Sequence, residues 1–315
     1  MSNFGLTKGA HSLTNRQSKQ NRAMRRYCTY IIYIIALLNA SIATKAASPE
    51  DIKWHNEATD TTTITKILIL ATDFDASTPN ELMEFIGRQF IGTPYKGGTL
   101  EGEHEQLTVN LEEMDCTTYV ETVAAMALTV SSRRCSWQDF TNMLEEIRYR
   151  NGQIDGYASR LHYISDWIIN NTHRGYVREV SDRFPTSDSQ IKTLDYMSRN
   201  RQSYPALADS TEYERIKNME VGYRSHRYSY IKSGRLYSKP VVQALKAGDI
   251  VALTTKTDGL DVSHLGIIVI EKDGPHMMHA SSKAGKVVID PLNFADYMKK
   301  NHQLTGFRVV RLVEQ

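Results

Sequence analysis

The chain has 315 residues, 41% of them hydrophobic and 23% charged. That composition excludes extended disorder, collagen-like repeats and coiled coil over most of the length. The net charge of +2, from 38 basic and 36 acidic residues, hides an asymmetry. Residues 1–47 carry Lys8, Arg16, Lys19, Arg22, Arg25, Arg26 and Lys45 and no acid. Without those seven, 31 basic residues face 36 acidic ones, a balance of −5. A nucleic-acid binder keeps its basic excess in the folded part, so no nucleic-acid partner is expected.

Arg25 and Arg26 precede an apolar run from Tyr27 to Leu38, and small residues follow from Ala40 to Ala47. This is the order of a secretory signal: charged end, short apolar middle, small-residue cleavage region. The run is shorter than the ~20 residues of a membrane span. A start at Met24 would give a signal of ordinary proportions. Cys28 opens the run instead of ending it, so it makes a poor lipid anchor. Export, to the periplasm, is the expectation, with membrane contact only through the leader if it stays uncleaved; a retained anchor is the alternative. Two cysteines beyond the leader, Cys116 and Cys135, do not make a disulfide framework, although one bridge between them would silence either as a nucleophile.

Beyond the leader, residues 48–77 read as a lead-in, in which the apolar run Thr63 to Ala71 fits helix or strand equally. Thr78-Pro79-Asn80-Glu81 opens a helix with Leu82, Phe85, Ile86 and Phe90 on one face. The turn residues Gly92-Thr93-Pro94-Tyr95-Lys96-Gly97-Gly98 end it. From Asp115, a natural N-cap, Tyr119, Val120, Val123, Ala124, Ala127 and Leu128 form one apolar stripe. Further helices are expected over Trp137–Tyr149 and around Leu161–Ile169. Residues 170–240 are polar and Tyr-rich, without a clean period. Short β-rich runs then follow at 249–254, 262–270, 276–280, 286–289 and 307–313. Helices first and strands later predict an α+β fold, a sheet with helices packed on one face. Residues 78–315 are expected to form a single domain.

Cys116 falls in the first turn of the Asp115-capped helix, where free N–H groups and the helix dipole favour a thiolate. A buried cysteine acting as a small hydrophobe is the alternative. A nearby imidazole would complete an activated sulfur nucleophile. His264 interrupts an otherwise apolar strand beside Gly266, where the missing side chain allows a close approach. His279 follows an Asp273-Gly274 turn. A two-residue hairpin there places Ile268 opposite His279. His279 then shares a face with His264 but lies four residues along, out of contact without a bulge or another register. A zinc site from Cys116, His264, His276 and His279 is the rival reading. It is disfavoured because residues 276 and 279 of one strand point to opposite faces.

Three segments in this order resemble the NlpC/p60-type cysteine peptidases, cell-wall hydrolases with a papain-like core. They are the loop Gly92–Gly98, the pair Asp115-Cys116 at a helix start, and Lys246-Ala247-Gly248-Asp249-Ile250-Val251 followed by Ser263-His264-Leu265-Gly266-Ile267 and His279-Ala280. They span residues 91–282. The chain departs from the family in having Thr117-Thr118 after the Asp-Cys pair and in a long stretch between helix and hairpin. That stretch, with Gly156–Tyr163 and Asp166-Trp167, resembles the N-acetylmuramoyl-L-alanine amidase-like branch common in exported proteins of Bacteroides-type bacteria. The resemblance implies a nucleophile helix packed on an antiparallel sheet, with 131–245 a substrate-selecting insertion. It implies cleavage of the amide between the muramic-acid lactyl group and L-Ala, with Cys116 as nucleophile, His264 as base, His279 as orienting residue and Tyr95 at the oxyanion. Tyr157, Arg160, His162 and Tyr163, with Trp167, are expected to contact substrate, against the alternative that they are core or solvated. No metal or organic cofactor is required. Muropeptides are the expected partners of a monomer. A D-glutamyl endopeptidase and a non-catalytic wall-binding module are the alternatives.

Overall fold

A computed structural model describes residues 52–314; the expected signal, the Met24 start and residues 48–51 of the lead-in lie outside them. Strand β1 (Ile52–Trp54) pairs in parallel with β2 (Leu107–Val109). Between them come α1 (Glu57–Asp73) and α2 (Pro79–Arg88). Helices α3 (Cys116–Ser131), α4 (Trp137–Arg148) and α5 (Ile164–His173) follow. Next in the chain are β3 (Val177–Glu179), β4 (Asp188–Lys192), α6 (Tyr196–Arg199), α7 (Ser210–Val221) and β5 (His226–Lys232). The C-terminal part runs α8 (Lys239–Ala244), β6 (Ile250–Thr255), β7 (Val262–Glu271), β8 (Gly274–Ser281), β9 (Lys286–Asn293), α9 (Phe294–Lys300) and β10 (Leu304–Leu312). The order β4-β5-β10-β6-β7-β8-β9, with β3 also on β10, makes one antiparallel sheet.

The expected α+β class, with an antiparallel sheet and the Cys116 helix packed against it, is what forms. Strands β6–β10 match the expected β-rich runs to within a few residues, whereas β3, β4 and β5 form in the polar stretch 170–240 that showed no clean period. The layering differs from the expectation of one covered face. Leu265, Ile267, Val269 and Met278 join the core beneath α1–α5, whereas Val251, Leu253, Ile268 and Met277 join a second core beneath α8 and α9. Strands buried on both faces read as continuous apolar runs instead of alternating ones, and 250–255 is buried throughout.

Two boundaries also move. The lead-in belongs to the domain: Ile64, Ile67, Leu68 and Ala71 of α1 are core residues. Buried Asp60 accepts the N–H groups of Asn56 (3.1 Å) and Leu111 (3.0 Å), so α1 fixes the loop that leads into Cys116. Residues 131–245 are not a separate insertion either. Helices α4 and α5 complete the main core, and β3 and β5 pair with β10. Only a small cluster around Tyr157, Tyr163, Leu194, Met197, Leu207 and Ile216 packs as a lobe of its own.

Candidate active site

Helix α3, which carries Cys116 in its first turn, is set by its cap. Asp115 accepts from the Thr117 and Thr118 N–H groups (3.0 and 2.8 Å), and Thr118 Oγ1 accepts the Asp115 N–H in return (2.9 Å). Such a reciprocal cap is worth about 1 kcal/mol. Tyr119 N–H goes to the Asp115 carbonyl. The Cys116 N–H faces its own sulfur, together with the Leu265 N–H and Thr117. Further along α3, buried Glu121 takes a charge-assisted bond from Arg148 Nε (2.7 Å), and Arg148 also donates to the Thr108 carbonyl (2.7 Å). Breaking such a buried pair costs ~3–5 kcal/mol, so α3 is locked to α4 behind the cysteine.

The Leu265 contact brings Cys116 beside the β7–β8 hairpin. Here the register differs from the expectation. Ile267 pairs with Met278 and Glu271 with Gly274, so the turn is Lys272-Asp273, and Gly274 takes φ +124°. Ladder continuation sets Gly266 opposite His279. The slip is two residues, which keeps every side chain on its face. It moves His279 from four residues along to two, a diagonal neighbour within reach of a long side chain. His264 Nε2 and His279 Nδ1 lie 2.5 Å apart with their rings at 88°. Gly266 does allow a close approach, but of Met277: a Cβ there would sit 2.4 Å from its Cγ.

Two residues that sequence reasoning missed flank this pair. Asp290 Oδ2 lies 3.5 Å from His279 Nε2. Tyr297 of α9 meets the His279 ring edge-on at 5.6 Å and is close enough to Cys116 for the two charges to interact. Tyr95 is brought in by a bridge to Met114, just before the cap, and feels Cys116 and Asp115. Burial, then those two charges, raise its phenol, so it remains a proton-bearing donor. His276 turns elsewhere, to the Asp290 carbonyl (2.8 Å) and Asp273 (3.0 Å).

The local environment opposes the expected thiolate. Burial, followed by the Asp115 charge, pushes the Cys116 thiol up to about 11, against the opposing N–H donors. The same aspartate that caps the helix thus cancels part of its anion-stabilising field. Burial, and then His279, hold His264 down to about 3. At rest the thiol and the His264 imidazole are both neutral. Cys116 and Cys135 are not joined by a disulfide.

The expected substrate residues are used internally. Tyr163 is 1% exposed; its hydroxyl donates to Glu220 (2.7 Å) and accepts from Met197 N–H (2.9 Å). Arg160 is buried, paired with Glu101 (2.8 Å) and Glu105 (3.5 Å), and lies over the Tyr157 ring. His162 bonds the Tyr157 carbonyl (2.8 Å) and packs against its ring. Tyr157 and Trp167 are buried. In this structure all five are engaged in packing or internal hydrogen bonds.

Residues 85–307 match the AmiA-like family, described as N-acetylmuramoyl-L-alanine amidase-like. The chain belongs to that family. An N-acetylmuramoyl-L-alanine amidase from Bacteroides uniformis is 36% identical, with a TM-score of 0.71 over 75% of this chain and 99% of that one. A Bacteroides fragilis protein provisionally described as a xylanase is 41% identical, with a TM-score of 0.67 over 71% and 98%. A Legionella pneumophila protein, 21% identical with a TM-score of 0.61 over 82% and 97%, shares the fold. No curated protein matches the chain.

Proposed function

We propose that this AmiA-like protein is an exported cell-wall amidase of the NlpC/p60 type with a papain-like catalytic core. It cleaves the N-acetylmuramoyl-L-alanine amide of muropeptides through a thioester on Cys116. The observation that supports the reading is Cys116 in the first turn of the capped helix α3, packed against strand β7, whose His264 has its Nε2 engaged by a second histidine. With Nε2 so occupied, Nδ1 is the nitrogen left for a proton from the thiol.

The lactyl carbonyl carbon bonds to Sγ as the thiol proton passes to His264 Nδ1. Neither group is charged beforehand, so charge develops only as the C–S bond forms. The carbonyl oxygen becomes an oxyanion facing the Cys116 N–H and the Tyr95 hydroxyl. Collapse breaks the C–N bond, and the His264 proton leaves on the L-Ala amine. Water, deprotonated by His264, then attacks the thioester, which returns the thiol and frees the lactyl carboxylic acid. No step requires a metal or organic cofactor.

Mass spectrometry of products from a purified muropeptide tests the choice of bond. Free stem peptide beginning with L-Ala, and a sugar with a free lactyl carboxyl, are expected. An L-Ala-D-Glu remnant on the sugar would make the protein an endopeptidase. Tight binding without any product would make it a wall-binding module.

A further inference from the structure

The His264–His279 pair has two proton arrangements, and only one leaves His264 a base at Nδ1. In the first, His264 carries its proton on Nε2 and donates to His279 Nδ1, so His264 Nδ1 is bare. In the second, His279 donates from Nδ1, and the neutral His264 ring must carry its proton on Nδ1. The 2.5 Å separation holds one proton between the rings, not two. What lies beyond His279 Nε2 selects between these arrangements, because a neutral imidazole protonated on one nitrogen is bare on the other.

Asp290 occupies that place. The β8–β9 ladder pairs His279 with Val288 and Met278 with Ile289, then breaks before His276 pairs with Asn293. Asp290 sits at the break, on an edge strand where Pro291 is tolerated, and bulges there re-aim side chains. Its Oδ1 accepts the Leu292 N–H (2.9 Å), its carbonyl accepts His276 Nδ1 (2.8 Å), and its Oδ2 faces His279 Nε2 (3.5 Å). The carboxylate is thus anchored by backbone on one side and aimed at the second imidazole on the other. His279 Nε2 is buried and makes no hydrogen bond in this geometry, and the Asp290 carboxylate faces it at 3.5 Å.

We propose that Asp290 is a positioning residue that sets the tautomers of both imidazoles through His279, so that His264 keeps its proton on Nε2 and leaves Nδ1 bare. This rests on the amidase reading for its consequence, not for its geometry. An ionised carboxylate only accepts. It therefore keeps the proton on His279 Nε2, leaves His279 Nδ1 bare, and obliges His264 to hold the shared proton on Nε2. The other titratable groups facing this chain are Cys116 from α3, His276 from β8 and Tyr297 from α9. Burial works to raise Asp290, but His279 and the Leu292 N–H bring it below the ordinary carboxylate value, so it is ionised near neutrality. An amide in its place could instead donate to Nε2 and reverse both rings.

Long-range ¹⁵N–¹H correlation NMR of the ¹⁵N-histidine-labelled full chain near pH 7, with His276→Asn as an assignment aid, reads the tautomers directly. Both His264 and His279 are expected as the Nε2–H form. In Asp290→Asn, His264 is expected to shift toward Nδ1–H, with kcat lowered at least about 100-fold, the scale of a wrong-tautomer base, and KM little changed. Asp290→Glu, which keeps an acceptor-only group, should retain the native tautomers and part of the kcat. Native His264 found as Nδ1–H overturns the proposal without any variant. So does an Asp290→Asn protein with native tautomers, or one with reversed tautomers and unchanged kcat. Native tautomers as expected in a protein that hydrolyses no muropeptide would leave the relay standing and remove the amidase reading instead.

Discussion

Titratable side chains concentrate at the open end of the β7–β8 hairpin and again in the lobe around Tyr157, and the two groups are wired differently. At the hairpin, Cys116 and His264 are only half-buried, and His264 engages a side chain through Nε2 alone. In the lobe, Arg160, Tyr163 and His162 all end on groups of the protein itself. Arg150 pairs with Asp166 in the same way, and Tyr223 donates to that aspartate (2.7 Å). Polar side chains held inside a buried cluster specify packing, although Arg160 Nε and Glu220 Oε2 are left there without a hydrogen bond; a half-buried group is what a substrate can reach. Residue type does not separate these regions, since both hold histidines and tyrosines.

The largest effect that sharpens this contrast is at the hairpin. Cys116→Ala and His264→Ala should each lower muropeptide hydrolysis by more than about 10³-fold, the scale for members of a unit that acts together. Circular dichroism and the melting temperature should stay near native, because neither residue is a core member. Hydrolysis surviving in Cys116→Ala would break the comparison at its first term.

Arg160→Ala tests the other side. A substrate-binding arginine would cost activity and leave stability alone. The geometry predicts the reverse, because Glu105 would stay buried with only Tyr149 as a side-chain donor (2.8 Å). Removing one partner of a buried pair costs ~3–5 kcal/mol, and exposed Glu101 places this case at the low end, about 3 kcal/mol. Denaturant unfolding should show that loss, while kcat/KM per folded molecule changes less than about threefold. A stable variant with weakened kcat/KM would return Arg160 to the substrate.

Most of the elements were legible in the chain because their signals are local. Thr78-Pro79, Asp115 and Ser136 cap helices as their types dictate, and the strands follow apolar runs. The hairpin register was less legible. Asp273-Gly274 is a strong turn signal, yet the loop closes one residue earlier, with Gly274 at φ +124°. Face assignment survived because a two-residue slip preserves parity; contact did not, because distance along a strand has no parity. Asp290 and Tyr297 left no signal of this kind. They reach the site through a broken edge ladder and a seven-residue helix, and long-range placement is not written in periodicity. The sign of the Cys116 shift was missed for a related reason: the helix field was counted, but the charge of the cap that completes it was not.

A smaller effect is expected at Tyr163. Tyr163→Phe removes the donor to Glu220 and the acceptor for the Met197 N–H, both buried. Glu220 keeps the Ser198 N–H (3.1 Å), so the penalty falls on one orphaned N–H and a weakened carboxylate, about 1–3 kcal/mol in all. Thermal unfolding measures it, and unchanged kcat is expected beside it. A kcat loss without destabilisation would place Tyr163 against substrate.

The effect that is smallest at pH 7 and grows as the pH falls, and the one that reads both regions at once, is acid sensitivity. Burial holds His162 down to about 3, helped by Arg160, as it does His264. In the unfolded chain both titrate near 6.5. Between those values the unfolded state binds protons that the folded state refuses, so stability is lost as pH falls from about 6.5 toward 3. Each histidine adds up to about 1.4 kcal/mol per pH unit to that slope. Asp60, Glu105, Glu121 and Asp249, raised chiefly by burial, bind protons earlier when folded and oppose it. The informative quantity is therefore the difference between native and variant proteins in denaturant unfolding from pH 7 to 4.5. His162→Asn and His264→Asn should each flatten the slope by a similar amount. If only His264→Asn does so, His162 titrates as a solvent-open group and the lobe is not the closed cluster that its hydrogen bonds describe. If only His162→Asn does so, the hairpin end is wetter than the lobe, and His264 is charged in the acidic range where it would otherwise serve as a base.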